Sequence, residues 1–186
     1  MMNSYKLVKH LPNLLTLTNL SLGLGSILLL IQSEHPHKTG IASICIILGA
    51  VSDFFDGFLA RKLNAFTMMG KQLDSFADII TFGVAPIILI NYVSCHPPIF
   101  IIGPSLLFMI AGTYRLTKYN MNDSNQHFVG LPITAAGVSL TFYCLIYPMW
   151  SIHVHLCTVI TNLTLLALAF MMVSKKQIKR ITFKSD

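Results

Sequence analysis

Long apolar runs alternate with short polar breaks along this chain, and the alternation sets the number of elements. The first run reaches from Leu11 to about Gln32 and opens on Pro12, a residue tolerated in a first helical turn because its missing N–H has no partner there anyway. Thr16, Thr18, Asn19 and Ser21 are polar positions inside it, and the polar turn Ser33 to Lys38 ends it. A second run extends from about Gly40 to Ala60, and a connection from Arg61 to Gly70 leads to a third. That third run carries Asp74 and Asp78, passes through Thr81, Phe82, Gly83 and Pro86, and stops near Val93 before Cys95-His96-Pro97-Pro98. A fourth covers about Ile99 to Tyr119, and a polar loop covers Asn120 to Val129. The fifth runs from Pro132 to near Pro148 and the sixth from about His153 to Val173. Runs of about 17–25 apolar residues suit a hydrocarbon core about 30 Å thick. The pattern therefore predicts an all-α membrane protein with six transmembrane helices. Tyr5, Leu7, Val8 and Leu11 among Lys6, Lys9 and His10 predict a short interfacial helix over residues 1–11. Residues 174–186 read as a basic tail. No repeat or boundary interrupts the pattern, so residues 1–186 are expected to form one polytopic domain.

Composition agrees and adds a direction. With 54% hydrophobic and 11% charged positions in 186 residues, the chain is too apolar for a soluble globule of its size. The net charge of +6 comes without a basic stripe interleaved with aromatics, so it points to anionic lipid headgroups rather than nucleic acid. Six spans put both termini on one side. On that side fall Lys6, Lys9, Arg61, Lys62, Lys71, Arg115, Lys118, Lys175, Lys176, Lys179, Arg180 and Lys184, leaving Lys38 alone opposite. Cytoplasmic segments carry the excess of Lys and Arg, so both termini are expected in the cytoplasm of a multi-pass cell-membrane protein. The lysines before the first run imitate a signal peptide, but the run is long and lacks a small-residue cleavage site, which makes it a permanent first helix. Cys45, Cys95, Cys144 and Cys157 show no C-x-x-C spacing and read as small packing residues.

Against this apolar background, residues Asp53 to Asp78, DFFDGFLARKLNAFTMMGKQLDSFAD, hold four of the seven acidic side chains. On helices, Asp53 and Asp56 fall three apart on one face, and Asp74 and Asp78 four apart on another. Each carboxylate at membrane depth costs a few kcal/mol, so four together call for a positive charge among them. Oxygen-only donors suit a hard divalent cation such as Mg2+, Mn2+ or Ca2+, and the absence of His and Cys argues against zinc. Gly57 and Gly70 let a bulky group approach the backbone, and Arg61 offers a planar fork to phosphate oxygens.

These residues spell D-x2-D-G-x2-A-R-x8-G-x3-D-x3-D without a mismatch. The pattern resembles the signature of the CDP-alcohol phosphotransferases, membrane enzymes that move a phosphatidyl group from CDP-diacylglycerol to an alcohol and release CMP. The resemblance implies that Asp53, Asp56 and Asp74 bind the metal, Mg2+ or Mn2+. It makes Asp78 a metal-site residue that also serves as general base, although spacing alone does not say which aspartate takes the proton. It assigns Gly57, Ala60, Arg61 and Gly70 to the CDP pocket, and the first-helix pattern P-N-L-L-T-L-T-N looks like the family's nucleotide-facing strip, which adds Thr16 and Asn19. It also implies a homodimer.

The stretches LDSFADIITFGVAP (Leu73 to Pro86), YRLTKYN (Tyr114 to Asn120) and FVGLPITAAG (Phe128 to Gly137) resemble the phosphatidylserine synthase branch, in its short bacterial form. The implied acceptor is L-serine. One carboxylate on that acceptor needs about one cation, and Arg115 is expected to meet it, with Asn120 nearby. Two positions depart from the branch pattern: Thr81 stands where Ser is usual, and Lys118 replaces an Arg. The alternatives are the same chemistry with glycerol 3-phosphate or inositol phosphate, or, from another class, a divalent-cation transporter, since intramembrane acids also mark ion paths. Against a transporter, the acids cluster at one end and Arg61 would repel a cation.

Overall fold

The computed structural model describes residues 11–32, 37–94, 99–121, 130–146 and 154–174, with the side chains of residues 154 and 155 left aside. Six helical elements are found among them, and no strand: α1 (Leu11–Gln32), α2 (Lys38–Lys62), α3 (Met68–Val93), α4 (Ile99–Met121), α5 (Ile133–Ile146) and α6 (Val154–Val173). Five of these are long and apolar enough to cross a membrane. The exception is α5, whose 14 residues span about 21 Å at 1.5 Å per residue. The molecule is a multi-pass, all-α membrane protein. The expected interfacial helix, the basic tail and the polar loop after Asn120 lie outside the described residues, apart from a residue or two at their edges.

The helices keep the expected order, but α2, α3 and α4 extend further, whereas α5 is shorter than the run expected from Pro132 to near Pro148. α2 runs to Lys62 and α3 starts at Met68, so the connection expected over Arg61 to Gly70 shrinks to residues 63–67. Asn64 takes a left-handed φ of 47° in this turn, a conformation asparagine tolerates better than most residues. Thr67 then caps α3 by accepting a hydrogen bond from the Gly70 N–H at 2.9 Å.

The largest departure is inside α3, where Ile79–Val84 is a π-helical segment between two α-helical stretches. Pro86 supplies a physical reason. It lacks the N–H that would return an α-type bond to the Phe82 carbonyl, and its ring crowds that carbonyl, so the helix widens one turn earlier. The widened turn is also the most tightly packed. Thr81 sits between α1 and α2, where a Cβ on Gly23 would come within 2.9 Å of its Cα and one on Gly49 within 2.8 Å of its Cγ2. Its hydroxyl donates to the Asn19 carbonyl at 3.1 Å.

Phe82, Leu89, Phe108, Ile133, Leu140 and Met172 form the centre of the core. The outward faces are apolar too: Leu14, Phe54, Phe76 and Phe170 are well exposed, as a lipid-facing belt requires. Met68 and Met69 are exposed to 80% and 79% and belong to that belt rather than to the core.

Candidate active site

One end of the bundle gathers the polar side chains. The start of α1, the end of α2, the start of α3, the end of α4, the start of α5 and the end of α6 all meet there. Contacts of Thr16 with Asp56, Asn120 with Ser75, Thr134 with Asp53, and the Leu131 N–H with the Met171 carbonyl tie these ends together.

The carboxylates converge at this end. Asp53, Asp56 and Asp74 each place one oxygen so that all three lie within 4.8 Å of one another. Asp78 stands in hydrogen-bonding contact with Asp53, and Asp56 and Asp78 are 5% and 7% exposed. Two oxygens in this group, Asp74 Oδ1 and Asp78 Oδ1, are buried with no hydrogen-bond partner among the described residues. Buried carboxylate oxygens are ordinarily satisfied, so orphaned ones beside three converging acids fit a site that binds a cation. The donors are all carboxylate oxygens, which suits a hard divalent ion.

Around the acids, the sequence-predicted residues divide. Thr16 is buried, and its single hydroxyl proton is shared between Asp56 Oδ2 at 2.7 Å and the Pro12 carbonyl at 3.1 Å, so it faces the acids directly. Asn19 lies one turn deeper with 0% exposure, both amide atoms unpartnered among the described residues, against Gly49. Gly57 has open space where a Cβ would stand. Gly70 does not: a Cβ there would lie 2.9 Å from both Asn13 Oδ1 and Thr67 Oγ1, so its smallness also serves the turn. Ala60 is half-buried and Arg61 exposed in the last turn of α2.

Arg115 is half-buried on α4, interacts with the charge of Asp78, and keeps a buried Nε without a partner among the described residues. Asn120 is already engaged. Its side-chain amide donates to Ser75 Oγ at 2.7 Å, and its backbone carbonyl accepts from Lys71 Nζ at 2.8 Å, which clamps the end of α4 to the start of α3 beside Asp74. Lys118 is exposed.

Thr134, Ser75 and Lys71 were not picked out by sequence. Thr134 lies within FVGLPITAAG, but nothing local marks its hydroxyl as facing an acid 81 residues away.

The family model for CDP-alcohol phosphatidyltransferases matches residues 9–173. The chain belongs to the CDP-alcohol phosphatidyltransferase family. Among members of that family, it is similar to the CDP-diacylglycerol–serine O-phosphatidyltransferase of Bacillus subtilis, with 38% identity over 90% of this chain and 89% of the other. It is also similar to the archaetidylserine synthase of Methanothermobacter thermautotrophicus, 35% identical over 78% of this chain and 63% of that one. The Saccharomyces cerevisiae CDP-diacylglycerol–serine O-phosphatidyltransferase is 32% identical over 73% of this chain and 54% of its own length.

Proposed function

We propose that this chain is a CDP-diacylglycerol–serine O-phosphatidyltransferase, moving the phosphatidyl group of CDP-diacylglycerol to the hydroxyl of L-serine and releasing CMP. The observation that carries the reading is the near full-length likeness to the Bacillus subtilis enzyme of that name, in a chain whose signature acids converge on one point. Residues 1–186 act as one catalytic domain.

Asp53, Asp56 and Asp74 would hold a divalent ion, Mg2+ or Mn2+, with Asp78 beside them. When bound, that ion supplies Lewis-acid charge against the diphosphate oxygens. Arg61 adds its guanidinium to the same diphosphate, and the open face at Gly57, with the small Ala60 and Gly70 nearby, leaves room for the CDP group to lie against α2. Thr16 borders this pocket from α1 through its bond to Asp56, and Asn19 lines its floor one turn below.

Asp78 accepts the proton of the serine hydroxyl. The serine oxygen forms a bond to the lipid-side phosphorus as the bond from that phosphorus to the CMP oxygen breaks. Positioning and charge suffice for this exchange, so no covalent intermediate on the protein is needed. Arg115, with its unpartnered Nε on the side of Asp78, holds the serine carboxylate, and Asn120 supports it from the α4 terminus. The site opens to the cytoplasm, where serine and the nucleotide lipid headgroup meet, and the working unit is a homodimer, as the family resemblance implies.

The direct test supplies purified protein with CDP-diacylglycerol, Mn2+ or Mg2+, and a panel of alcohols, and measures CMP. CMP release with serine alone is expected, abolished by a chelator and restored by either ion. Release with glycerol 3-phosphate but not serine would assign a different acceptor, and no release with any alcohol would remove the transferase reading altogether.

A further inference from the structure

The chain between Gly130 and Gly137 is wedged against four other helices. Gly130 adopts φ of 82°, and a Cβ there would lie 2.4 Å from the Met172 carbonyl of α6, while the Leu131 N–H donates to the Met171 carbonyl at 3.1 Å. Ile133 fills the space left by Gly112 on α4, where a Cβ would sit 2.7 Å from its Cδ1. A Cβ on Gly137 would lie 2.4 Å from the Phe82 carbonyl in the π segment of α3. The first helical bond of α5, from the Ala136 N–H to the Pro132 carbonyl at 3.0 Å, makes Pro132 the cap and fixes the backbone of the next two residues. Every one of these contacts constrains where Thr134 points, and it points at α2. Its hydroxyl donates to Asp53 Oδ2 at 3.3 Å.

We infer that Thr134 is a positioning residue for Asp53, holding one of its carboxylate oxygens so that the carboxylate presents a fixed geometry to the metal. The inference rests on the proposed metal role of Asp53 and deepens it. A carboxylate on a helix turns about two side-chain bonds, and a second hydrogen-bonded partner removes that freedom before the ion arrives; such outer partners commonly change metal affinity 10- to 100-fold. Asp56 has the equivalent partner in Thr16, on α1. Asp53 also contacts Asp78, but Thr134 is the hydroxyl partner that reaches it from a separate helix.

The test measures Mn2+ binding directly, by the loss of the free-ion electron paramagnetic resonance signal in detergent-solubilised protein without lipid substrate. Thr134→Val keeps the shape and removes the donor, so Mn2+ affinity is expected to fall by about 10-fold or more, while Thr134→Ser restores it to within about threefold. Equal affinity in Thr134→Val and the parent overturns the inference. So does equal weakening in both variants, which would mean that packing rather than the hydroxyl matters. If Thr134→Val does not elute as a single species, Thr134→Ala is judged by the same comparison with Thr134→Ser. Parent protein that binds no Mn2+, or whose binding survives Asp53→Asn with Asp56→Asn, overturns the metal reading itself and the inference with it.

Discussion

Single side chains at the site differ in what their loss should do. Asp78 is buried with one carboxylate oxygen unpartnered among the described residues, and Asp78→Asn keeps its size while removing the proton acceptor. Turnover is expected to fall at least about 100-fold, the lower range for a lost general base, with the protein still eluting as a single folded species. Arg115→Ala should act on one substrate only. A charge-assisted hydrogen bond contributes about 1.5–3 kcal/mol, so the KM for serine is expected to rise about 10- to 100-fold while that for CDP-diacylglycerol holds. An unchanged serine KM would remove Arg115 from the acceptor pocket. Gly57 separates stability from function most cleanly. Because nothing lies within 4 Å of a Cβ there, Gly57→Ala should leave the melting temperature equal or slightly higher, yet raise the KM for the nucleotide lipid.

At the scale of elements, the joint between α3 and α5 decides whether the acids stay in register. Asp78 is the last α-helical residue before the π segment, and Phe82, inside that segment, presses its backbone on Gly137. A methyl group on Gly137 meets carbonyl and Cα atoms, which cannot swing aside as a flexible side chain would. Gly137→Ala is therefore expected to cost about 1–3 kcal/mol by overpacking and to lower the melting temperature by several degrees. Gly25→Ala and Gly103→Ala, both in open helical positions, should be close to neutral in the same thermal scan. The helices themselves were legible because apolar runs of membrane length leave few other structures available to the chain. The acid pairs were legible because their spacing is helical on both sides of a short turn. The π segment was not, although Pro86 in the middle of an apolar run was its signal; the register change becomes visible only once Phe82 and Gly137 are seen to meet. Thr134 and the Lys71–Asn120–Ser75 clamp stayed hidden for the same reason, since each joins residues dozens of positions apart through tertiary packing alone.

For the whole molecule, the question is which side of the membrane the polar end faces. Of the helix termini at that end, the end of α2, the start of α3 and the end of α4 carry Arg61, Lys62, Lys71, Arg115 and Lys118, and six spans would put the lysines near both chain ends on the same side. Lys38, at the start of α2, stands at the opposite end, with Nζ 4.4 Å from the centre of the Tyr92 ring and 3.4 Å from the Leu30 carbonyl. A charge held over an aromatic ring and against a helix end is the arrangement expected where a lysine reaches the headgroup region from the less basic side. Moving the whole bundle upside down would place a dozen cations on the side that normally carries few, so the charge distribution favours one orientation strongly. Single cysteines can read this out in a background where Cys45, Cys95, Cys144 and Cys157 are replaced by alanine. A membrane-impermeant maleimide should label Lys62→Cys only in inside-out vesicles and Lys38→Cys only in right-side-out vesicles. The reverse pattern would put the carboxylates on the outer face, away from cytoplasmic serine, and a transferase using that acceptor could not work in such an orientation.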